Sequence, residues 1–387
     1  MRKKLTNVFL LLLTSLIWLL IGWTLHRQVG ERTDMIQNAA TARIDQTHTL
    51  LQNRQFLTHE ITAEQLSTAA IRGMLAETHD PYAVLFTPPA SAAYGPDIAG
   101  DIGAPGIWKR FVNEKMVIYR LDPKGGAERA GLKVGDILLG VNGIQFDETT
   151  SLDEASILLR GPVGTTAKVV VQRDQAILEY EVARDAWAII TSQIISDHIG
   201  YIQQTLFPLN ADSKMQQHLQ TLLDQKVAAL IWDLRDNGGG ALQATEAILN
   251  NFIAEGVFYQ AEFKNGQRQT FSADGSAKVI DLPLVVLVNE NTYSASEIAA
   301  AALADNQRAV LIGTATEGKG TIQDTIALDE QHLLRITIAK WLPPSGVWTQ
   351  GKGVTPTVEV KDDPATETDE VLHFAIQYIQ KKFLDSR

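Results

Sequence analysis

Val227-Ala228-Ala229-Leu230-Ile231-Trp232-Asp233-Leu234 is a nearly continuous apolar run, and Arg235-Asp236-Asn237-Gly238-Gly239-Gly240 follows it directly. A run without polar alternation is what a strand buried on both faces of a sheet requires. The three glycines allow a turn whose amide groups point into a cavity, a geometry that holds anions. A flexible turn before a helix is the plainer reading, and these residues alone do not separate the two. Two runs of the same character lie downstream, Leu284-Val285-Val286-Leu287-Val288 and Ala309-Val310-Leu311-Ile312-Gly313. Helical patterns at 242–252 and 294–304 alternate with them. From about residue 187 onward the pattern predicts an α/β core.

Upstream, residues 97–184 read as short strands punctuated by glycine. Strands are predicted at Met116 to Leu121 and Ala167 to Gln172, and Val134 to Gly143 is a strand that ends in an Asn142-Gly143 turn. Gly125 to Leu132 is a turn and short helix, and Ser151 to Arg160 an amphipathic helix. The segment has the size of one small β-rich domain. Residues 31–78 look helical and polar, with apolar positions at Ile44, Leu51, Ile61, Leu66, Ile71 and Leu75. A stalk, a homodimer surface and a cap on a later domain all fit them. His79-Asp80-Pro81-Tyr82 and Pro88-Pro89 end the helical pattern.

The 387 residues are 45% apolar and 20% charged, which suits two or three globular domains. Cysteine is absent, so a cysteine nucleophile, a thiolate zinc site and disulfides are excluded. The net charge of −11, with no long basic run, argues against nucleic acid as a partner. The first residues differ from the rest. Met1-Arg2-Lys3-Lys4 is basic, and Leu5 to Leu25 carries no charge and is long enough, at about 1.5 Å per residue, to cross a bilayer core. The basic start places the amino end inside and the remainder outside. Ile21 to His26 lacks a small-x-small cleavage site, and Trp18 and Trp23 suit a membrane interface. Residues 1–25 are therefore expected to be an uncleaved anchor rather than a signal peptide.

Asn291-Thr292-Tyr293-Ser294-Ala295-Ser296-Glu297 joins a buried strand to an alanine-rich helix. Ser294 and Glu297 have capping-box spacing. The same turn would also project a serine hydroxyl at the sheet edge, beside the free amides of a helix start. A serine nucleophile needs a base. No histidine stands in a hydrolase setting, and neither G-x-S-x-G nor H-E-x-x-H occurs. Lys319, in Thr316-Glu317-Gly318-Lys319-Gly320-Thr321, follows the next apolar strand and returns to the same sheet edge. A Ser–Lys pair is a known variant of triad logic. It requires burial to lower the lysine pKa from about 10.4 by several units. An exposed loop lysine is the plainer reading. Gly313 to Lys319 also nearly matches a P-loop, but Gly320 takes the place of the Ser/Thr, and residues 321–326 alternate as a strand where a P-loop opens a helix.

Taken in order, these segments resemble the carboxyl-terminal processing (tail-specific) serine peptidases, from about residue 71 to 380. His79-Asp80-Pro81-Tyr82 with Phe86-Thr87-Pro88, Asp233 to Leu242, Tyr293 to Glu297, Gly318 to Gln323, and Pro344-Ser345-Gly346 with Gly351 to Pro356 carry the resemblance. Residues 97–184 resemble that family's PDZ domain. The resemblance implies a crotonase-like/ClpP-like α/β peptidase core (a mixed sheet with helices) at 185–387, after a small β-rich PDZ domain at 97–184 and an N-terminal helical region at 26–96. It implies Ser294 as nucleophile rather than Ser296, because the family serine lies 25 positions before its lysine. Lys319 would be the base and Gln323 would position it. Ala295 with Gly239 or Gly240 would form the oxyanion hole. Gly106 and Ile107 would hold the carboxylate of a polypeptide tail added as a strand. No metal or organic cofactor is implied.

Three positions depart from the family. Glu317 replaces a Phe. If its carboxylate reached Lys319 it would raise the lysine pKa; pointing outward, it would select basic substrates. Gly238 replaces a Pro, and Ala104-Pro105 widens the carboxylate loop. The expected activity is cleavage of polypeptides outside the cytoplasm, alone or after contact with an activating partner. A PDZ scaffold without activity is the alternative.

Overall fold

The structure, a computed structural model, describes residues 41–51, 53, 61–100, 102–196, 198–363, 366 and 368–384. The anchor expected at 1–25 lies outside the described residues, as does the first part of the region expected at 26–96. Among the described residues no helix is long and apolar enough to cross a membrane. The chain divides into two units, Met1–Glu77 and Thr78–Arg387. In the first, residues 41–51 are helical and α1 spans Ala63–Glu77. Thr62 caps α1 reciprocally: Gln65 N–H donates to Thr62 Oγ1 (3.1 Å) and Thr62 N–H to Gln65 Oε1 (2.9 Å).

The second unit opens with β1 (Val84–Phe86), entirely buried. Sequence reading leaves this segment in a helical region, because three apolar residues are too few to show a period. What makes it a strand is its antiparallel partner far along the chain, Val84 opposite Arg335. Then come α2 (Ala90–Ala99), β2 (Gly103–Ala104), β3 (Ile107–Val112), β4 (Lys115–Leu121), α3 (Gly126–Ala130) and β5 (Ile137–Val141). They are followed by β6 (Ile144–Gln145), α4 (Leu152–Leu159), β7 (Thr166–Arg173), β8 (Ala176–Ala183) and β9 (Asp185–Ala186). The antiparallel sheet runs β3-β4-β5-β7-β8, with β6 on β5. Asn142 and Gly143 turn β5 into β6 at φ 51° and 82°, the left-handed pair that an Asn-Gly turn provides. Ser151 Oγ accepts Glu154 N–H at 3.0 Å and starts α4. Ile118, Leu138, Val169 and Val171 fill the core between sheet and helix.

The rest of the unit comprises β10 (Ile190–Ile195), β11 (Ile199–Gln204), α5 (Ala211–Asp224), β12 (Ala229–Asp233), α6 (Leu242–Leu249), β13 (Val257–Phe263) and β14 (Arg268–Ser272). After them come β15 (Leu284–Val288), α7 (Ala295–Asp305), β16 (Val310–Gly313), β17 (Thr321–Ala327), β18 (Leu333–Leu342), β19 (Val358–Glu359) and α8 (Glu370–Ile379). One sheet runs β10-β11-β12-β15-β16-β19, parallel except for β10. Every residue of β12 and β15 is buried, because both faces are covered. Leu230, Trp232 and Val286 pack with residues of α5, α6 and α7, whereas Ile231, Val285 and Leu287 pack with Val371 and Ala375 of α8. A second sheet runs β1-β18-β13-β14, with β17 on β18. The strand order sets the site: β12, β15 and β16 are neighbours and parallel, so the three loops after their carboxyl ends meet at one sheet edge.

Candidate active site

The loop after β15 leads into α7 through Ser294, whose backbone sits at φ 59°, ψ −118°. That region costs a serine about 1–3 kcal/mol and persists only where the surroundings impose it. Here they do. Ser294 N–H donates to Glu297 Oε2 at 2.8 Å, and Glu297 N–H donates to Ser294 O at 2.9 Å. Tyr293 N–H donates to Asn237 O of the glycine loop at 3.0 Å. The two serines of the segment have different surroundings. Ser296 is fully buried, its Oγ 2.9 Å from Asn237 O and 2.6 Å from Tyr293 O. Ser294 lines a cavity of about 1080 Å³.

The loop after β16 brings in Lys319. Glu297 reaches across to it: Oε1 accepts Thr316 Oγ1–H (2.5 Å) and Gly318 N–H (2.7 Å), and Oε2 accepts Lys319 N–H (2.9 Å). One buried carboxylate thus ties the Ser294 and Lys319 segments together through its side chain. Burial pushes the Glu297 carboxyl up, against the hydrogen bonds that hold it ionised. β17 follows at once, a strand rather than the helix a P-loop opens, and this removes the nucleotide reading.

The Lys319 side chain is buried between two phenol rings. Its Nζ lies 4.6 Å from the Tyr82 ring centre and 4.8 Å from that of Tyr293. Burial lowers its pKa to about 8; Arg335 adds to this, and Asp153, Glu317 and Glu297 oppose it. The Tyr293 and Tyr82 hydroxyls are both pushed up, chiefly by burial, and stay neutral. Among the described residues no hydrogen bond joins Ser294 Oγ to Lys319 Nζ. Such bonds are often long before substrate arrives. Gln323 lines the same cavity from β17, but its Nε2 donates to Thr321 Oγ1 (2.9 Å) and Thr337 Oγ1 (3.0 Å), and no hydrogen bond reaches Lys319.

The glycine loop after β12 lies against Ser294. A Cβ on Gly239 (φ 81°) would sit 2.7 Å from Tyr293 O and 2.9 Å from Ser294 Cβ, so only glycine permits the approach. The Gly239 amide is already used, donating to Asn237 Oδ1 at 2.9 Å. Gly240 and Ala295 differ: among the described residues no hydrogen bond engages either amide, and Gly240 faces the cavity. Gly238, where the family this chain resembles carries Pro, also lines it.

The same cavity extends to Gly106 and Ile107 at the start of β3. Ala104 is paired with Asp185, and Pro105 O accepts Ala127 N–H at 2.8 Å, so this loop is fixed from both sides. Lys109 Nζ of β3 bonds Ser156 Oγ of α4 across the groove. Two ion pairs join this domain to the core, Arg120 with Asp236 and Arg335 with Asp153 (2.7 Å). Sequence reading misses Tyr82, Asp153 and Arg335 at the site, and takes Glu297 only as a cap. Tyr82 stands inside a quoted motif; nothing local marks the pair Asp153 and Arg335.

Comparison with known proteins accords with this geometry. The description "Peptidase family S41" matches residues 198–360 and "PDZ domain" residues 117–173. The carboxyl-terminal-processing protease of Synechocystis is 32% identical over 320 residues, 80% of this chain and 74% of the relative. The carboxy-terminal processing protease CtpA of Bacillus subtilis is 32% identical over 302 residues, 77% of this chain, and the chain spans 64% of that relative's length. Among solved structures, the photosystem II D1 C-terminal processing protease superposes with a TM-score of 0.62 at 28% identity, covering 84% of this chain and 88% of that one. The chain belongs to the carboxyl-terminal processing serine peptidases of family S41.

Proposed function

We propose that the chain cuts polypeptides through a Ser294–Lys319 dyad, with the PDZ groove at Gly106 and Ile107 taking substrate tails. What carries the reading is the Glu297 carboxylate, whose Oε2 accepts the amides of both Ser294 (2.8 Å) and Lys319 (2.9 Å). The reading is supported by a strained serine and a lysine of depressed pKa that line one cavity. Ser294 Oγ attacks the peptide carbonyl carbon while Lys319 Nζ takes its proton. The Gly240 and Ala295 amides donate to the oxyanion. Collapse breaks the C–N bond, Lys319 returns the proton to the leaving amine, and water then releases the acyl group from Ser294. Gln323 serves as the positioning residue in this reading, through a hydrogen bond to Lys319 that forms with substrate bound. An amino-terminal anchor at 1–25 would fix the peptidase on the outer side of a membrane, and the segment 31–78 would pair two copies.

The test uses the full chain in detergent micelles with an unfolded protein such as casein. Cleavage by the parent and by neither Ser294→Ala nor Lys319→Ala is the expected result; equal cleavage by all three refutes the dyad. The scaffold reading predicts instead that Ser294→Ala keeps every biological effect. Sedimentation with and without residues 31–78 checks pairing, and a monomer in both removes it.

A further inference from the structure

Seven carboxylates line the cavity that holds Ser294. Six have a partner. Asp97 meets Arg160 (3.0 Å), Asp122 accepts from Trp108 Nε1 (2.8 Å), Asp153 meets Arg335 (2.7 Å) and Asp236 meets Arg120. Glu290 accepts from Thr314 Oγ1 (3.1 Å), and Asp324 from Thr325 N–H (2.8 Å). Among the described residues, no ion pair and no side-chain hydrogen bond engages the seventh, Glu317. Its backbone is fixed, with the amide donating to Thr292 O at 3.1 Å, but its side chain is exposed to the cavity. The nearest cation along the chain, Lys319, acts on it only at a distance and forms no ion pair with it among the described residues, its ammonium lying between the rings of Tyr82 and Tyr293. An acceptor-only group on a fixed backbone, two residues from the lysine and facing the room where a chain must lie to be cut, is built to receive a cation.

We propose that Glu317 is a specificity determinant, its carboxylate pairing with a lysine or arginine side chain of the substrate beside the bond cut at Ser294. The proposal rests on the reading of Ser294 as nucleophile. It has a second consequence at the base. The charges facing Lys319 are Asp153 from α4, Arg335 from β18, Glu297 from α7 and Glu317 from its own loop, with the neutral phenols of Tyr82 and Tyr293 around them. Glu317 is among those that keep Lys319 protonated. A substrate cation on Glu317 cancels that influence, so a basic substrate releases the base that cuts it.

The experiment uses the full chain in detergent micelles and matched peptides with Lys, Ala or Glu placed in turn at the three positions on each side of the bond cut. At one position Lys should raise kcat/KM about tenfold or more over Ala, an advantage that falls with added salt. The acid limb of kcat, which reports the enzyme with substrate bound, should also lie at lower pH for the Lys peptide than for the Ala peptide. Glu317→Gln should bring the Lys/Ala ratio close to one and merge the two limbs, and Glu317→Lys should favour Glu. Ser294-dependent cleavage with a ratio that Glu317→Gln leaves unchanged overturns the proposal and spares the peptidase. Absence of any Ser294-dependent cleavage bears on the peptidase reading instead, leaving a scaffold or an enzyme that awaits an activating partner. Binding then decides the site on its own: labelled Lys peptide should bind Ser294→Ala about tenfold tighter than Ala peptide, and equally to it once Glu317→Gln is added. Equal binding from the start overturns the proposal.

Discussion

Lys319 sits where burial disfavours its charge, and the pKa of about 8 that results would set the working range of the proposed dyad. The amine must be neutral to take the Ser294 proton, so kcat/KM should climb with pH, about tenfold per unit well below 8, and level off above it. A pH–rate profile that is flat from 6 to 9 would contradict this assignment of the base. Lys319→Arg should not restore cleavage, because a guanidinium stays charged throughout that range. Glu297 allows a separate test. In Glu297→Gln one accepting oxygen becomes an NH₂ that faces amide donors, so at least one of the four bonds is lost and a donor is left buried. Stability should fall by about 1–3 kcal/mol in urea unfolding. Activity should fall further than that loss explains, because the Ser294 and Lys319 segments are no longer held by a common group.

At the level of elements, three parallel strands do the positioning, and their loops are short and mutually wedged. Gly239→Ala should therefore damage both fold and rate. Its φ of 81° and the 2.7 Å approach to Tyr293 O leave no room for a methyl group. A loss of about 1–3 kcal/mol in stability together with a large fall in kcat is expected, and parental values of both would show that the loop yields. These strands were readable from sequence because each carries its own evidence: an uninterrupted apolar run, then glycine or a helix start. The Asn142-Gly143 turn and the strand after Gly320 were readable for the same local reason. What escaped was decided across distance. β1 is a strand because of β18, and Lys319 is hydrophobically enclosed because Tyr82 comes from a remote segment. Asp153 belongs to the site only through Arg335. No period or motif encodes a partner two hundred residues away.

Across the whole molecule, charge ties the parts together. Arg235, beside the glycine loop, holds Asp233 (2.6 Å) and the α8 cap Asp369 (2.7 Å). Its side chain is only 14% exposed. Arg235→Ala leaves Asp233 buried without a counter-charge, though still bonded by the Tyr201 hydroxyl (2.7 Å), and should cost about 3–5 kcal/mol, read as a fall in melting temperature. Asp153 reaches Lys319 from the other domain and favours its charged form. Asp153→Asn should move the acid limb of kcat/KM to lower pH, whereas Arg335→Gln should move it higher; no shift in either variant would mean that the domains do not communicate by charge. Gly106, Ile107 and Ser294 line a single chamber, so on the proposed reading a substrate's tail and the bond to be cut would be held at once. The chamber would then act as a gauge. On the proposed reading, a tail seated at Gly106 would fix how many residues span to the cut, and the enzyme would count from the end of its substrate. Insert two residues between a tail and its natural cleavage point, and the cut should move two residues toward the tail.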